Sequence, residues 1–109
     1  MLKKDVIKAI QFLERCLIKS GVNISKIIMF GSYAKGNVTK ESDVDIIILS
    51  DDFNGKDIFE RANITKEAEI KTIKKFLIPF DIITLTTGEF KEGLFSKFVK
   101  SGGVTYSRK

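Results

Sequence analysis

The chain is predicted to fold as an α/β (α+β) protein, a small mixed β-sheet flanked by helices. Segments with apolar residues at helical spacing alternate along the sequence with short runs rich in β-branched residues. Gly, Pro, Asn and Asp residues separate these segments, as in turns and loops. This order favours a sheet covered by helices. The length of 109 residues suits one hydrophobic core, so residues 1–109 are predicted to form a single domain.

The first half of the chain is predicted to contain one helix and two strands. Apolar residues recur at helical spacing within residues 4–19, and Gly21 is placed to end that helix. Residues 24–30 and 44–49 are predicted strands. Because the second strand is apolar on both faces beyond its aspartates, we expect it to be central in the sheet.

A loop and a long helix are predicted to follow. Residues 50–55 carry turn-forming residues, and the two aspartates within them, Asp51 and Asp52, are interpreted as a solvated turn at the far end of the preceding strand. The helical pattern then covers residues 57–76. We expect a break near residues 63–65, with Thr65 capping the second part.

The last part of the chain is predicted to add a strand, a helix and a short edge strand. Residues 80–86 are the predicted strand, and Pro79 suits its start, where a missing N–H is tolerated. A helix is expected from Thr87 or Gly88 to about residue 100, and an edge strand at residues 104–106. The apolar face of that helix consists of Phe90, Leu94, Phe95 and Phe98.

Composition excludes several classes of protein and of chemistry. No apolar run approaches the roughly 20 residues of a membrane span, and the single cysteine, Cys16, permits neither an internal disulfide nor a cysteine-rich zinc site. We therefore predict a cytoplasmic protein in which Cys16 is a half-buried structural residue. The absence of histidine excludes a Ser-His-Asp triad and a histidine general base. What remains is carboxylate and metal chemistry.

The net charge of +5 raises the question of nucleic-acid binding. The lysines are spread along the whole chain, and no aromatic and basic residues interleave as single-strand binding requires. We therefore predict no specific nucleic-acid recognition, because charge alone supports only non-specific affinity. The densest lysine set shares a predicted solvated helix face with two glutamates, and comprises Lys66, Glu67, Glu69, Lys71, Lys74 and Lys75.

A Gly-Ser pair and an Asp-x-Asp motif, ten residues apart, carry the functional prediction. Asp43 and Asp45 alternate with Val44 at the start of a strand, so the two carboxylates point to the same side. Close carboxylates repel, and Mg²⁺, which takes one or two carboxylates plus water and phosphate, relieves that repulsion. The alternative interpretation is a surface strand with two solvated aspartates.

The Gly-Ser pair is typical of a phosphate-binding turn. Gly31 follows a predicted strand and permits a tight turn and close approach by a ligand. Ser32 suits the N-cap of a short helical turn whose free N–H groups favour phosphate, and Lys35 adds a positive charge one turn on. The two motifs, each in its expected strand context, together predict a site for a metal-bound nucleoside triphosphate.

These residues resemble the minimal nucleotidyltransferases of the DNA polymerase beta superfamily, whose signature is Gly-Ser, about ten residues, then Asp-x-Asp. The resemblance covers roughly residues 22–106 and implies a polymerase-beta-like nucleotidyltransferase fold. It implies that Asp81, on the third predicted strand, completes a catalytic and metal-binding set. The residues that match the signature, its usual neighbours and the third acid are Gly31, Ser32, Lys35, Gly36, Asp43, Asp45 and Asp81.

The resemblance also implies a reaction. ATP would be the substrate, two Mg²⁺ ions would be bound, and AMP would be transferred to a hydroxyl with release of pyrophosphate. Chains of this size resemble the antitoxin half of two-gene modules, whose nucleotidyltransferase modifies a tyrosine of a small helical HEPN-type partner encoded nearby. The alternatives are a small-molecule nucleotidyltransferase similar to aminoglycoside-modifying enzymes, a nucleic-acid end-modifying enzyme, and a non-catalytic nucleotide-binding module. A homo-oligomer or hetero-oligomer is compatible with each.

Overall fold

The computed structural model describes residues 3–31, 43–93 and 104–106. The predicted α/β class is confirmed, since the described residues form a mixed β-sheet with helices packed on it. A short 3-10 turn, Asp51–Phe53, follows the second strand. The helices and strands are, in chain order, α1 (Lys3–Lys19), β1 (Lys26–Phe30), β2 (Val44–Leu49), α2 (Ile58–Phe76), β3 (Phe80–Leu85), α3 (Thr87–Glu92) and β4 (Val104–Tyr106).

The four described strands form one mixed sheet with the order β3-β2-β1-β4. β1 pairs antiparallel with both β2 and β4, whereas β2 and β3 are parallel. The parallel pair is possible because α2 carries the chain back across the sheet between the two strands. The predictions of a central strand at residues 44–49 and an edge strand at 104–106 are therefore confirmed.

Helices α1 and α2 pack on one face of the sheet and form the main core with it. Alternate residues of β2, Val44, Ile46 and Ile48, are fully buried in this cluster. The intervening residues Ile47 and Leu49 face the other side and belong to a second, smaller cluster. The two-sided burial of β2 follows from its apolar sequence and from its position between two neighbours.

The first predicted strand begins two residues later than expected, at Lys26. The segment before it is held by side chains instead of by strand pairing. The Asn23 N–H donates to the Asp52 carboxylate at 2.7 Å, and the Asn23 carbonyl accepts from the Ser50 hydroxyl at 2.7 Å. These two bonds use the N–H and C=O groups of Asn23, which are then not available for strand pairing.

The expected break in the long helix is wrong, because α2 is continuous. Its N-cap is Asp57, in a capping box with Glu60, which satisfies two of the first free N–H groups. Thr65 is buried within the helix, and its hydroxyl donates to the Ala62 carbonyl at 3.3 Å. Threonine at that position therefore bonds back along the helix and does not start a new one.

The third strand and the helix after it also end earlier than expected. β3 stops at Leu85 because Thr86 is the N-cap of α3, in a capping box with Glu89. α3 ends at Glu92, where Gly93 takes an extended conformation, so the predicted continuous helix to residue 100 is wrong. Leu94, Phe95 and Phe98 of that prediction lie outside the described residues.

Cys16 is half-buried in α1 and packs against the main core, as predicted. Within the described ranges, no helix is long and apolar enough to cross a membrane.

Candidate active site

Two of the predicted acidic residues lie opposite each other on the parallel strands. Asp45, the second residue of β2, is the register partner of Asp81, the second residue of β3. Neighbouring strands lie about 4.8 Å apart, so the two carboxylates start from adjacent backbone positions. Asp43 immediately precedes β2 and its side chain alternates to the side that Asp45 takes. The structure thus brings Asp81 next to Asp43 and Asp45, from which it is far apart in the sequence.

The three aspartates lie on the sheet face opposite to α1 and α2. Asp45 shares a face with Ile47, and Asp81 shares one with Ile83, since side chains alternate along a strand. Both isoleucines belong to the smaller cluster on the side away from α1 and α2. Asp43 and Asp81 are exposed, whereas Asp45 is half-buried. Solvent and ligands therefore have access to the cluster.

The electrostatics of the cluster are repulsive. Burial raises the pKa of Asp45 above its ordinary value, and the charges of Asp81 and then Asp43 raise it further. Among the described residues, none donates a hydrogen bond to any of these three carboxylates. Each of the two added charges disfavours ionisation of Asp45, so a positive ion at this point would stabilise the folded chain.

Gly31 lies directly against the cluster. It follows the last residue of β1, Phe30, which is the register partner of Asp45. Its φ of +74° lies in the left-handed region, where residues with a Cβ are rare. A Cβ built on Gly31 would collide with the Asp45 carboxylate. The sequence predicted a glycine needed for a turn and for a ligand, and the structure adds that Asp45 itself requires it.

Glu69 is a fourth acidic residue beside the cluster, and sequence reasoning missed it. It was assigned to the solvated lysine-rich face of α2, but it is half-buried and lines a cavity with Asp81. Burial raises the pKa of Glu69, and the charge of Asp81 adds to the shift. The signal was present in the helical spacing, because Thr65 and Thr72 lie four before and three after Glu69 and are both buried.

The donor set fits Mg²⁺ in chemistry and in number. Across residues 3–31, 43–93 and 104–106, no three acidic or cysteine side chains converge tightly enough to enclose an ion by themselves. Mg²⁺ does not need such a cage, because it takes one or two carboxylates and completes its shell with water and substrate phosphate. Asp45 with Asp43 or Asp81 supplies the required carboxylates, and their mutual repulsion is the condition that a cation relieves.

The remaining predicted residues are placed as follows. Ser32, Lys35 and Gly36 lie outside the described residues. Asp51 and Asp52 lie beyond the opposite end of β2 and are exposed, as the interpretation of a solvated turn requires.

The sequence and fold define the class of this chain. The nucleotidyltransferase domain family matches residues 9–105, a span that includes the Gly-Ser pair and all three aspartates. The chain belongs to this family. Membership supports the prediction that the protein is a nucleotidyltransferase enzyme.

Three proteins of Methanocaldococcus jannaschii, all provisionally named protein adenylyltransferases, are similar in sequence. MJ1379 is 30% identical over 95 residues, which is 86% of this chain and 84% of the relative. MJ0604 is 51% identical over 41 residues and MJ1305 is 42% identical over 40 residues. These two alignments cover 38% and 37% of this chain, and only 41% and 27% of the respective relatives.

Solved structures share the fold at low sequence identity. A provisionally assigned nucleotidyltransferase from Sulfolobus solfataricus has a TM-score of 0.59 at 21% identity, with 99% of this chain and 91% of that chain covered. A toxin–antitoxin structure with AMP-PNP has a TM-score of 0.57 at 19% identity. A mutant of the MntA–HpeT toxin–antitoxin pair has a TM-score of 0.58 at 20% identity. Both cover 96% of this chain and 72% of theirs.

Proposed function

We propose that this chain is a Mg²⁺-dependent nucleotidyltransferase that moves AMP from ATP to a hydroxyl, namely a tyrosine of a small helical HEPN-type partner. The observation that carries the proposal is the register pairing of Asp45 with Asp81, next to Asp43, on the sheet face opposite to α1 and α2. Full-length similarity to a provisionally named protein adenylyltransferase supports AMP and a protein acceptor. The likeness to toxin–antitoxin structures supports a partner protein.

The proposed reaction is an in-line displacement at the α-phosphorus of ATP. The acceptor oxygen forms a bond to this phosphorus, and the bond from the phosphorus to the bridging oxygen of the β-phosphate breaks. Pyrophosphate leaves with the bonding electrons, and the proton of the acceptor hydroxyl passes to a carboxylate. Bound Mg²⁺, as a pair of ions, would neutralise charge on the attacking and leaving oxygens.

Each residue of the cluster has a part in this proposal. Asp43 and Asp45 would hold the Mg²⁺ that accompanies the triphosphate, and Asp81 would help to hold a second ion and would accept the hydroxyl proton. Asp81 suits the role of proton acceptor because it is exposed on the edge strand, where an acceptor molecule has access. Ser32 and Lys35 bind the β- and γ-phosphates, as their sequence context indicates.

The phosphate-binding turn depends on Gly31. Gly31 directly follows β1 and lies against the Asp45 carboxylate. The N–H groups that follow Gly31 would hold the phosphates, and Asp45 would hold the Mg²⁺ that accompanies them. This contact links the two halves of the motif, which are ten residues apart in the sequence.

The test is transfer of label from α-labelled ATP, with Mg²⁺, into a lysate of the source cells. Wild type is compared with Asp45→Asn, and with Asp52→Asn as the matched substitution outside the site. A labelled protein band with wild type and Asp52→Asn, and none with Asp45→Asn, supports the proposal and provides the partner for identification. Label that persists with Asp45→Asn contradicts the mechanism.

The other outcomes of this experiment select the alternatives. Label in RNA or in a small molecule would identify a different acceptor for the same chemistry. If folded wild type binds Mg-ATP but labels nothing, the chain is a nucleotide-binding module and the catalytic proposal is wrong.

A further inference from the structure

The outer edge of β3 is free in the described sheet. β3 is the terminal strand of the order β3-β2-β1-β4. The carbonyls of Pro79 and Leu85 accept hydrogen bonds from the β2 side, at 2.9 and 3.0 Å. Because backbone directions alternate along a parallel strand, Phe80, Ile82 and Thr84 direct their N–H and C=O groups outward.

Little protects this edge against pairing. Among the described residues, the outward groups have one partner, the Arg61 guanidinium, which donates to the Thr84 carbonyl at 3.2 Å. Free edges in other proteins commonly carry lysine, proline or a bulge. The segment Phe80–Leu85 has none of these and a single charge, Asp81. An apolar edge of this kind is a template for an added strand.

A groove follows the same edge, with α2 as its second wall. Two adjoining cavities of about 450 and 220 Å³ share the lining residues Ile58, Ile82 and Thr84. The smaller cavity also contains Asp81 and Glu69. Ile58 at the rim is 73% exposed, and the neighbouring Phe59 is 78% exposed. The groove therefore has an apolar middle at Ile58 and Ile82 and is acidic at the end next to the candidate active site. Its other end also carries charged residues, namely Lys56, Arg61 and Glu89.

We propose that this groove binds an extended segment of the acceptor protein, which adds as a strand to β3 and presents its hydroxyl side chain to Asp81. This inference rests on the proposed function. In strand addition, main-chain hydrogen bonds provide affinity and side-chain pockets provide specificity. Side chains of an added strand alternate between the two faces of the sheet. The hydroxyl residue would lie on the face of the carboxylates, and its neighbours would pack against Ile58 and Ile82.

The groove also specifies the chemistry of the segment. Its apolar wall suits β-branched residues on either side of the acceptor residue. Glu69 and Asp81 make one end acidic, so a lysine or arginine near the hydroxyl residue complements the charge. The acceptor is therefore recognised as an extended basic-apolar segment and not as an isolated hydroxyl.

The test compares two acceptors that differ in their capacity to pair with β3. One is a ten-residue peptide with a single tyrosine, valine and threonine neighbours, and a lysine at each end. The other is N-acetyl-tyrosinamide, which has the same hydroxyl and almost no backbone. Copies of the peptide N-methylated at one or the other alternate set of amides complete the series, because only the set that faces β3 is required for pairing.

Two variants alter the groove while they leave the carboxylates in place. Thr84→Pro removes an outward N–H from the edge strand, where proline is tolerated because the ladder to β2 does not use that group. Ile58→Glu places a charge at the rim, at the first position of α2, where an acidic residue favours the helix. Ile70→Glu is the matched control, since Ile70 is a partly exposed residue of the same helix that lines neither cavity.

With wild type, we expect kcat/KM for the peptide to exceed that for N-acetyl-tyrosinamide by about tenfold or more, as two or three added hydrogen bonds imply. Thr84→Pro, Ile58→Glu and one of the two N-methylated peptides should remove this advantage. Labelling of N-acetyl-tyrosinamide should remain, and Ile70→Glu should change neither acceptor.

Three results would overturn the inference. Equal kcat/KM for the two acceptors with wild type would show that the edge does not bind the segment, while transfer itself stands. A wild-type dimer that Thr84→Pro dissociates, without change in peptide labelling, would assign the groove to a second copy. If neither acceptor is labelled by protein that binds Mg-ATP, the proposed function fails and this inference fails with it.

Discussion

The two ends of the parallel pair β2–β3 both carry carboxylates, but within residues 3–31, 43–93 and 104–106 only one end provides them with hydrogen-bond donors. At the end where the strands finish, every acidic group nearby accepts a hydrogen bond. The donors and distances are the Thr87 hydroxyl to Asp51 at 2.6 Å, the Asn23 N–H to Asp52 at 2.7 Å, and the Arg61 guanidinium to Glu89 at 2.8 Å.

At the end where the strands begin, the carboxylates face one another. Asp45 lies opposite Asp81 and next to Asp43, and the three receive no hydrogen bond from any described residue. The pKa shifts of the carboxyl groups at the two ends differ accordingly. The pKa of Asp45 is raised by burial and by its acidic neighbours, whereas the Arg61 guanidinium lowers the pKa of Glu89 to about 2.

The comparison shows that carboxylates are tied into the fold at one end and repel one another at the other, where we propose that they serve chemistry. Partnered carboxylates stabilise the turn after β2 and the start of α3. The unpartnered set costs stability and has no structural role that the described residues reveal. Unfavourable repulsion between close carboxylates is expected at a functional site.

The largest expected effect is that of Asp45→Asn. The variant should lose transfer by at least roughly a hundredfold, because it removes charge that stabilises the transition state. It should also melt higher than wild type, by roughly 3–6 °C, since it relieves repulsion and the desolvation of a charge. A labelled-ATP assay measures the loss of transfer, and calorimetry on the same protein sample measures the melting temperature.

The same substitution at the other end should act in the opposite direction. Asp52→Asn weakens a charge-assisted bond to the Asn23 N–H, so we expect a loss of about 0.5–1 kcal/mol in the free energy of unfolding. Transfer should be unchanged. If urea denaturation showed that both asparagine variants shift stability with the same sign, the contrast between the two ends would be wrong.

The second largest effect on the site should come from Gly31→Ala. A Cβ at this position collides with the Asp45 carboxylate and is also strained by the positive φ. Gly55→Ala is the matched control, because Gly55 has a φ of +73° with nothing within 4 Å of the added Cβ. We expect about 1 kcal/mol of destabilisation for the control and about 2–4 kcal/mol for Gly31→Ala, with loss of transfer. Equal costs would show that the contact with Asp45 is unimportant.

Glu89 tests the partnered end through pH. Because its pKa is lowered in the folded chain, its contribution is present above its unfolded pKa of 4.5 and is lost as pH falls from 4.5 towards 2. Glu89→Gln keeps a side chain that completes the capping box but removes the charge. It should lower stability at pH 7 by about 0.5–1 kcal/mol, since the Glu89 side chain is 44% exposed.

The same Glu89→Gln variant should unfold with a weaker pH dependence between pH 4.5 and 2 than wild type. Glu89→Ala is expected to be less stable than Glu89→Gln at every pH, because it also loses the cap. Thermal unfolding across this pH range measures both effects, and an unchanged pH slope in Glu89→Gln would contradict the assignment.

The smallest effect concerns the turn that precedes β3. Leu77 is the C-cap of α2 in the left-handed conformation, with φ of +56°, and its side chain is 79% exposed. Leu77→Gly should raise the free energy of unfolding by about 0.5–1 kcal/mol, because glycine adopts this conformation without a steric penalty. Chemical denaturation measures the gain, and transfer should not change.

The sequence predicted the strands of the site better than the contacts between them. The bounds of β2 were correct because its residues are apolar on both faces and its aspartates mark the start. The start of β1 and the continuity of α2 were mispredicted, since the Asn23 bonds and the buried Thr65 depend on tertiary neighbours. No local pattern indicates that Gly31 touches Asp45.

Glu69 illustrates a different limit. Its place among lysines indicated a solvated face, but residues three and four apart on a helix share a face more closely than sequence neighbours do. The buried threonines at that spacing were the relevant signal. The pairing of β2 with β3, on which the whole site depends, joins residues 36 positions apart and is set by the α2 crossover.

The central claim is that Asp43, Asp45 and Asp81, whose carboxylates receive no hydrogen bond from the described residues, hold a metal-bound nucleotide. The most direct measurement is the melting temperature of wild type and Asp45→Asn, each with no ligand, with Mg²⁺ alone and with Mg-ATP. We predict that Asp45→Asn is the more stable protein without ligand, and that only wild type gains stability with Mg²⁺ and Mg-ATP. If ligand-free Asp45→Asn melts below wild type, or both proteins gain equally from Mg-ATP, the claim is contradicted.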